Sequence, residues 1–350
     1  MGIIFIILSN YFRILAPQIT KYVLNTVEHT LQNKNINENT ATNYDPVVQK
    51  FFIHAMDVSA FSFKNKILVC GIVLLALALV SGFFMFLMRQ TIIVMSRRIE
   101  YDQKNEIFAH YQQLDTNFYK THNTGDLMSR ISEDVSRVRM YTGPANMYLI
   151  NLAAIIGFSV FYMLKENREL TFYVLSPLPI LAFTIYYVNT IINKKSDKIQ
   201  SLLSDLTTNA QESYSGIRVI KSFVQEKAMF GFFEKNSEEY RKNAISLAKT
   251  EAIYFPSMSL LIGLSTLLTI MIGGIYVIQG QINIGVIGEF VMYILMLTFP
   301  VSAIGWTASM IQRAATSQRR VNEFLQTKST IQNSISQKIT FKGNIEFKII

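Results

Sequence analysis

Apolar and polar residues fall along this chain in long blocks. Five windows carry no charged residue: Ile67–Met88, Met140–Leu164, Leu170–Asn193, Ala252–Gly288 and Phe290–Gln312. A helix needs about 20 mostly apolar residues to cross a bilayer core about 30 Å thick, and each window reaches that length. Ala252–Gly288 is too long for one crossing. It reads as a helix over Tyr254–Gln279 and a tight turn at Gly280–Asn283. A sixth candidate runs from Gly2 to Val27, interrupted by Arg13 and Lys21. Helices in soluble cores keep a wet face, so charge-free runs of this length argue against a soluble protein. The pattern predicts an all-α membrane protein with six spans, near 2–27, 67–95, 141–164, 171–192, 254–279 and 284–312.

The connections between spans two and three and between four and five are long and patterned. Ser96–Gln113 has no Pro or Gly and continues directly from the second span. Ile199, Leu202, Leu206, Ala210, Tyr214 and Ile217 recur at three- and four-residue spacing, which is one apolar stripe on a helix. Phe230, Phe233, Tyr240 and Ala244 form a similar stripe within Phe223–Leu247. Each connection therefore reads as a helical hairpin with a short reversal at its tip. The first tip falls at Thr121–Asp126, where Gly125 closes a turn and Thr124 or Asp126 caps the helix that follows. The second falls at Ser215–Phe223, where a glycine precedes an apolar, basic segment. Apolar residues at the end of a polar stalk imply a partner surface.

Composition agrees. Half of the 350 residues are hydrophobic and only 16% are charged, against about 25% in an average soluble domain. The net charge of +9 raises nucleic acid as a partner, but the positive residues are spread along segments next to the spans, so no nucleic acid is expected. Six spans place both termini on one side. That side, with Ser96–Met140, Asn193–Glu251 and Arg313–Ile350, has a net charge of +7, and the opposite side, taking Lys165 as boundary, has −2. The positive-inside rule makes the first side cytoplasmic. The single Cys70 and four scattered histidines leave no metal site. Met1–Leu8 lacks a preceding basic region, and Ala16-Pro17 is a poor cleavage context, so the first apolar stretch reads as a span and not as a signal peptide.

Several stretches together resemble the transmembrane domain of a six-helix ATP-binding-cassette (ABC) exporter of the half-transporter type. NFYKTHNTGDLMSRISEDVSRVR (Asn117–Arg139) is similar to that family's first intracellular loop and ESYSGIRVIKSFVQEKAMFGFF (Glu212–Phe233) to its second. INIGVIGEFVMYILMLTFPVSAIG (Ile282–Gly305) resembles the sixth span and SQRRVNEFL (Ser317–Leu325) its exit. Pro17 falls where the family's first span usually has a proline, and Asn25 where an aspartate is common. The resemblance implies a transmembrane domain over 1–325, a linker over 326–338 and the start of a nucleotide-binding domain over 339–350, carried by the β-prone run Phe341–Lys348. No G-x-x-x-x-G-K-[ST] occurs in the 350 residues, so the backbone cradle for ATP phosphates is absent from them. The expectation is a permease fragment, or the product of a split or truncated gene, that binds no ATP itself; ATP and Mg would sit on the nucleotide-binding domain.

The resemblance further implies a multi-pass protein of a bacterial inner membrane that forms a dimeric substrate pathway. Its partners would be a second copy or homologous half-transporter, a nucleotide-binding domain in cis or in trans, and the lipid bilayer. Phe118, Tyr119, Lys120, Thr121, His122, Asn123, Thr124 and Gly125 correspond to the first coupling helix. Gly216, Ile217, Arg218, Val219, Ile220, Lys221, Ser222 and Phe223 correspond to the second. The candidate substrate-pathway residues are Arg13, Glu289, Tyr293, Phe299 and Pro300. Glu289, the one acid inside an otherwise uncharged run, stands near the external turn, so an interfacial position competes with a substrate or proton role. The alternatives are a secondary transporter or channel not powered by ATP, and a receptor or scaffold that uses its hairpins for signalling.

Overall fold

The computed structural model describes residues 1–32, 44–50, 63–331, 343 and 346. The described residues include eleven α-helices, a further helical turn at 46–50 and two wide π-type segments, with no strand among them. The helices are α1 (Gly2–Gln32), α2 (Phe63–Gln113), α3 (Thr116–Thr121), α4 (Thr124–Ser129), α5 (Val135–Met140), α6 (Asn146–Glu166), α7 (Arg168–Leu175), α8 (Pro177–Ser215), α9 (Ile217–Ser222), α10 (Glu226–Ile278) and α11 (Ile284–Leu325). The π-type segments, Arg130–Asp134 and Tyr141–Ala145, join α4 to α5 and α5 to α6. Among the described residues, six helical stretches are long and apolar enough to cross a membrane. Most of the run Phe341–Lys348 and most of the 326–338 linker lie outside the described residues, as does most of the connection between α1 and α2.

The fourth span is not one helix. It breaks at Ser176 between α7 and α8. Pro177 has no N–H to give the carbonyl of Tyr173, and the Ser176 hydroxyl donates to that carbonyl instead at 2.8 Å. In hydrocarbon such a substitute donor is required, because no water is present to take the freed group.

The chain divides into two compact units. The first comprises Met1–Ile92 and Asn146–Ser309. Its core joins Ile14, Leu15 and Ile19 of α1 to Met163 of α6, Leu170 of α7 and Phe290 and Ile294 of α11. Small and polar residues set the helix spacing. Ser9 and Ser81 each donate to the other's carbonyl at 3.0 Å, tying α1 to α2. A Cβ on Gly285 would stand 2.4 Å from the Lys21 carbonyl oxygen and the Asn25 Oδ1, so only glycine permits this approach of α11 to α1. Asn25 Oδ1 accepts the Gly285 N–H at 2.8 Å and caps the first turn of α11.

α8 and α10 pack along one another, α9 closing the reversal between them. Two caps of the same kind end helices here. At the end of α10 the Gly280 amide bonds Val277 and the Gln281 amide bonds Tyr276, with Gly280 at φ +71°. At the end of α9 the Val224 amide bonds Lys221 and the Gln225 amide bonds Ile220, with Val224 at φ +54°. A β-branched residue in this left-handed position is strained by about 1–2 kcal/mol.

The second unit comprises Ile93–Ala145 and Met310–Ile350. Ile107 of α2, Phe118 of α3, Leu127 of α4, Val135 of α5 and Val321 and Phe324 of α11 form its core. The caps here differ from those the sequence suggested. Asn123, not Thr124 or Asp126, caps α4 by accepting the Gly125 N–H at 3.0 Å. Asp115 caps α3 by accepting the Phe118 N–H at 3.0 Å. The same carboxylate accepts the Thr330 hydroxyl and, at 2.7 Å, the Thr330 N–H.

Replacing Val224 by Gly relieves the strain and costs some unfolded-chain entropy. The net gain is expected at ~0.5–1 kcal/mol, read as a two- to fivefold slower amide exchange across α9; unchanged or faster exchange would count against strain at this residue. The Thr330 side chain, helped by the Phe118 and Thr330 amides, holds the Asp115 carboxyl at about 2, below its ordinary 3.8. The folded group is thus the stronger acid. Its contribution is complete above the unfolded value and is lost as the pH falls through about 2. Protection of the Phe118 amide, measured against its intrinsic exchange rate, should therefore fall between pH 4 and pH 2 in the wild type, and Asp115→Asn should remove that fall.

Candidate functional site

The first sequence-chosen tip is a short helix on a buried anchor. Phe118 turns inward, with its ring centroid 6.1 Å from that of Phe324 and 4.0 Å from the His122 ring, stacked on it. The Tyr119 hydroxyl donates to the Tyr111 carbonyl at 2.5 Å. Lys120, Thr121, His122, Asn123, Thr124 and Gly125 are exposed. The tip thus has one residue that fixes it and a run that faces outward.

An ion network beneath it was not read from the sequence. Asp126 accepts from Arg130 Nε at 3.0 Å and Nη2 at 2.8 Å, and from Arg320 Nη2 at 2.7 Å. Arg320 also stands 3.4 Å from Asp134, whose other oxygen accepts the Ser317 hydroxyl at 2.8 Å. Asp134 is buried, so its charge requires these partners. The segment Ser317–Leu325 therefore braces the first tip. The signal in the sequence was Arg320 beside Val321 and Phe324, a charge flanking two apolar residues one helical turn apart.

The second tip is bare. Ile217, Val219 and Phe223 of the chosen segment are exposed, Phe223 to 71%, and Tyr214, Val224 and Phe230 extend the apolar surface. No residue of α9 is buried. The helices carrying it are tied to each other: Lys195 Nζ of α8 donates to the Ser246 hydroxyl at 2.9 Å and the Thr250 hydroxyl at 2.7 Å on α10.

Within the spans the chosen residues fall into separate places. Glu289 is 2% exposed and Lys21 3%. Lys21 Nζ lies 2.6 Å from Glu166 and 3.4 Å from Glu289, and over the Tyr44 ring at 4.9 Å. Tyr293, itself fully buried, donates its hydroxyl to Glu289 at 2.9 Å. One ammonium is shared by two carboxylates from α6 and α11. Beside them Asp45 accepts the hydroxyls of Tyr11 at 2.7 Å and Tyr162 at 2.5 Å, and its N–H is held by Gln18 at 2.9 Å. The buried acid of the sixth span thus has its counter-ion on the first. The two residues are 268 positions apart, so no local pattern pairs them.

Arg13 lies elsewhere, lining a cleft with Arg89, Asn10 and Asn151. Phe299 is exposed and the neighbouring Pro300 is buried within α11. Among the described residues no group of three or more His, Cys, Asp or Glu is placed to hold a metal ion.

Comparison with known proteins accords with this architecture. Residues 1–301 match the model of the ABC transporter transmembrane region. The Escherichia coli K12 "Multidrug resistance-like ATP-binding protein MdlA" is 29% identical over 221 residues, 62% of this chain and 37% of that protein. The Bacillus subtilis "Probable multidrug resistance ABC transporter ATP-binding/permease protein YheI" is 28% identical over 281 residues, 78% of this chain and 47% of that protein. A "Multidrug resistance-like ATP-binding protein MdlA" of Buchnera aphidicola is 27% identical over 289 residues, 82% of this chain and 50% of that protein. The chain spans half or less of the length of these relatives. With six helices able to cross a bilayer and a family match over most of its length, it is a multi-pass membrane protein that belongs to the ABC transporter transmembrane region family.

Proposed function

We propose that this chain is the membrane-spanning half of an ATP-driven exporter. Two halves, a pair of identical or homologous chains, enclose the substrate path. An ABC-type ATPase domain, joined in cis or recruited in trans, holds ATP and Mg and supplies the force. Both termini and both tips face the cytoplasm of a bacterial inner membrane. The relatives' names point to multidrug efflux, and a largely apolar set of spans suits amphipathic cargo.

The observation that carries this reading is the bare second tip on stiff supports. α8 has 39 residues, about 58 Å of helix at 1.5 Å per residue, and α10 has 53, about 80 Å. Each exceeds a bilayer core by a wide margin. A helix of this kind transmits displacement with little loss, so a small movement of an ATPase surface gripping α9 becomes a shift of the attached spans. Ile217, Val219 and Phe223 provide the apolar grip, and Arg218 and Lys221 flank it with charge. The first tip, braced by Arg320, gives the ATPase a second contact.

Phe223→Asp removes exposed apolar surface without disturbing a packed core. In vesicles carrying the chain with its ATPase domain, it should insert normally and lower ATP-dependent export at least tenfold; export at the wild-type rate would remove the docking role. Orientation is tested independently by cysteine labelling in the Cys70→Ser background. A membrane-impermeant maleimide applied to intact cells should label Gln281→Cys and not Thr124→Cys. The opposite result would invert the topology.

A further inference from the structure

Two cations in the spans find no neutralising group among the described residues. Lys21 is paired, whereas the guanidinium groups of Arg13 and Arg89 have neither a hydrogen bond nor an ion pair among the described residues. Both line one cleft between α1, α2 and α6. Their convergence follows from helix geometry. α1 and α2 run antiparallel, Gly2 meeting Ile92 and Ser9 meeting Ser81. Helical side chains lean toward the N-terminus of their own helix. Arg13 on α1 therefore leans toward the turn of Ser9 and Asn10, and Arg89 on α2 toward that of Met85. The two cations reach the same level from opposite directions.

The rest of the wall is donor-rich on one part and apolar on another. Asn10 commits its amide hydrogens to the Ile6 carbonyl at 2.9 Å and to Asn151 Oδ1 at 2.8 Å, which leaves the Asn151 amide hydrogens to donate. Tyr148 adds a hydroxyl, and no carboxylate lines the cleft. Met85, Met88 and Met147 supply the apolar part. Methionine is unbranched and polarisable, so such a wall adapts to varied hydrocarbon shapes. Arg13 and Arg89 are exposed, and Arg13 stands about 17 Å along α1 from Gly2 at 1.5 Å per residue, inside the stretch read as the first span, where an unpaired charge is costly.

The geometry points to a binding site for an anionic amphipath: a phosphate-type head held between Arg13 and Arg89, with an apolar body along the methionines. Guanidinium forks match tetrahedral oxyanions through paired N–H donors, which favours phosphate chemistry over a lone carboxylate. This names a substrate class for the export reading and rests on that reading only in calling the ligand a substrate. Binding itself requires no ATPase domain, so the test stands apart from transport.

The molecule carries its own reporter. Its single tryptophan, Trp306, packs edge-on against Tyr148 with ring centroids 5.2 Å apart. The chain in phosphatidylcholine nanodiscs is titrated with dodecyl phosphate while Trp306 emission is followed. The expected result is a saturable change that is at least tenfold weaker in Arg13→Gln/Arg89→Gln and weakened to an intermediate degree in Arg13→Lys/Arg89→Lys, which keep the charge and lose the fork. Dodecyltrimethylammonium and inorganic phosphate, which lack the head charge or the body, should not saturate over the same range. Nanodiscs containing phosphatidylglycerol separate two sources of the head. Competition assigns it to a bilayer lipid and absence of competition to a dissolved amphipath, and either result upholds the site. A dodecyl phosphate curve unchanged in the Gln variant, equal binding of the ammonium analogue, or no saturable signal in the correctly inserted wild type overturns it. Neither arginine has a partner to lose among the described residues, so the variants should insert as the wild type does, which size-exclusion profiles and circular dichroism check.

Discussion

A charge in hydrocarbon is tolerated only with a partner or a route to water, and that constraint orders this molecule. It empties five windows of charge and moves ionisable residues to the connections. Where charges remain inside, each needs an account. Lys21 is shared by Glu166 and Glu289 and sits over Tyr44, which makes α1, α6 and α11 interdependent near the Gly280–Asn283 turn. Removing one member of such a cluster strands the others, a change that typically costs 3–5 kcal/mol. Arg13 and Arg89 lack this arrangement, which is why they stand out as ligand-seeking and Lys21 does not.

The same solvent dictates the helices. With no water to accept stray backbone groups, each span is helical, and each interruption needs a local remedy. Ser176 supplies one at Pro177. Close helix approach uses glycine where α11 crosses α1 and reciprocal serine bonds where α2 does. In the second hairpin, outside these windows, the helices continue unbroken as far as the reversal at α9. Its tip keeps a strained Val224 where Gly280 takes the equivalent cap at the other end of α10. A valine there adds exposed apolar surface beside Phe223, a use that glycine could not serve.

Much of the fold was legible because lipid writes its demands into composition. Charge-free length marks spans, three- and four-residue stripes mark stalks, and Gly216 marks a reversal. The tips were legible as segments, yet their internal roles were not. Phe118 is an anchor and Lys120–Gly125 the outward face, a division that depends on Phe324 arriving from two hundred residues away. The caps of α3 and α4 fell to Asp115 and Asn123 because the turn begins earlier than Gly125 alone suggests.

By itself the sequence determined the class of solvent, the number of crossings, the expected sidedness of the charged segments and the places where the chain reverses. These rest on local composition and helical periodicity, which are properties of neighbours along the chain. Only the tertiary structure decided which charges meet: Lys21 with Glu166 and Glu289, Arg320 with Asp126 and Asp134, and Arg13 beside Arg89 with no acid between them. Charge pairing depends on helix rotation and on which helices become neighbours. Both are set by packing between segments far apart in the chain, where no periodic signal reaches.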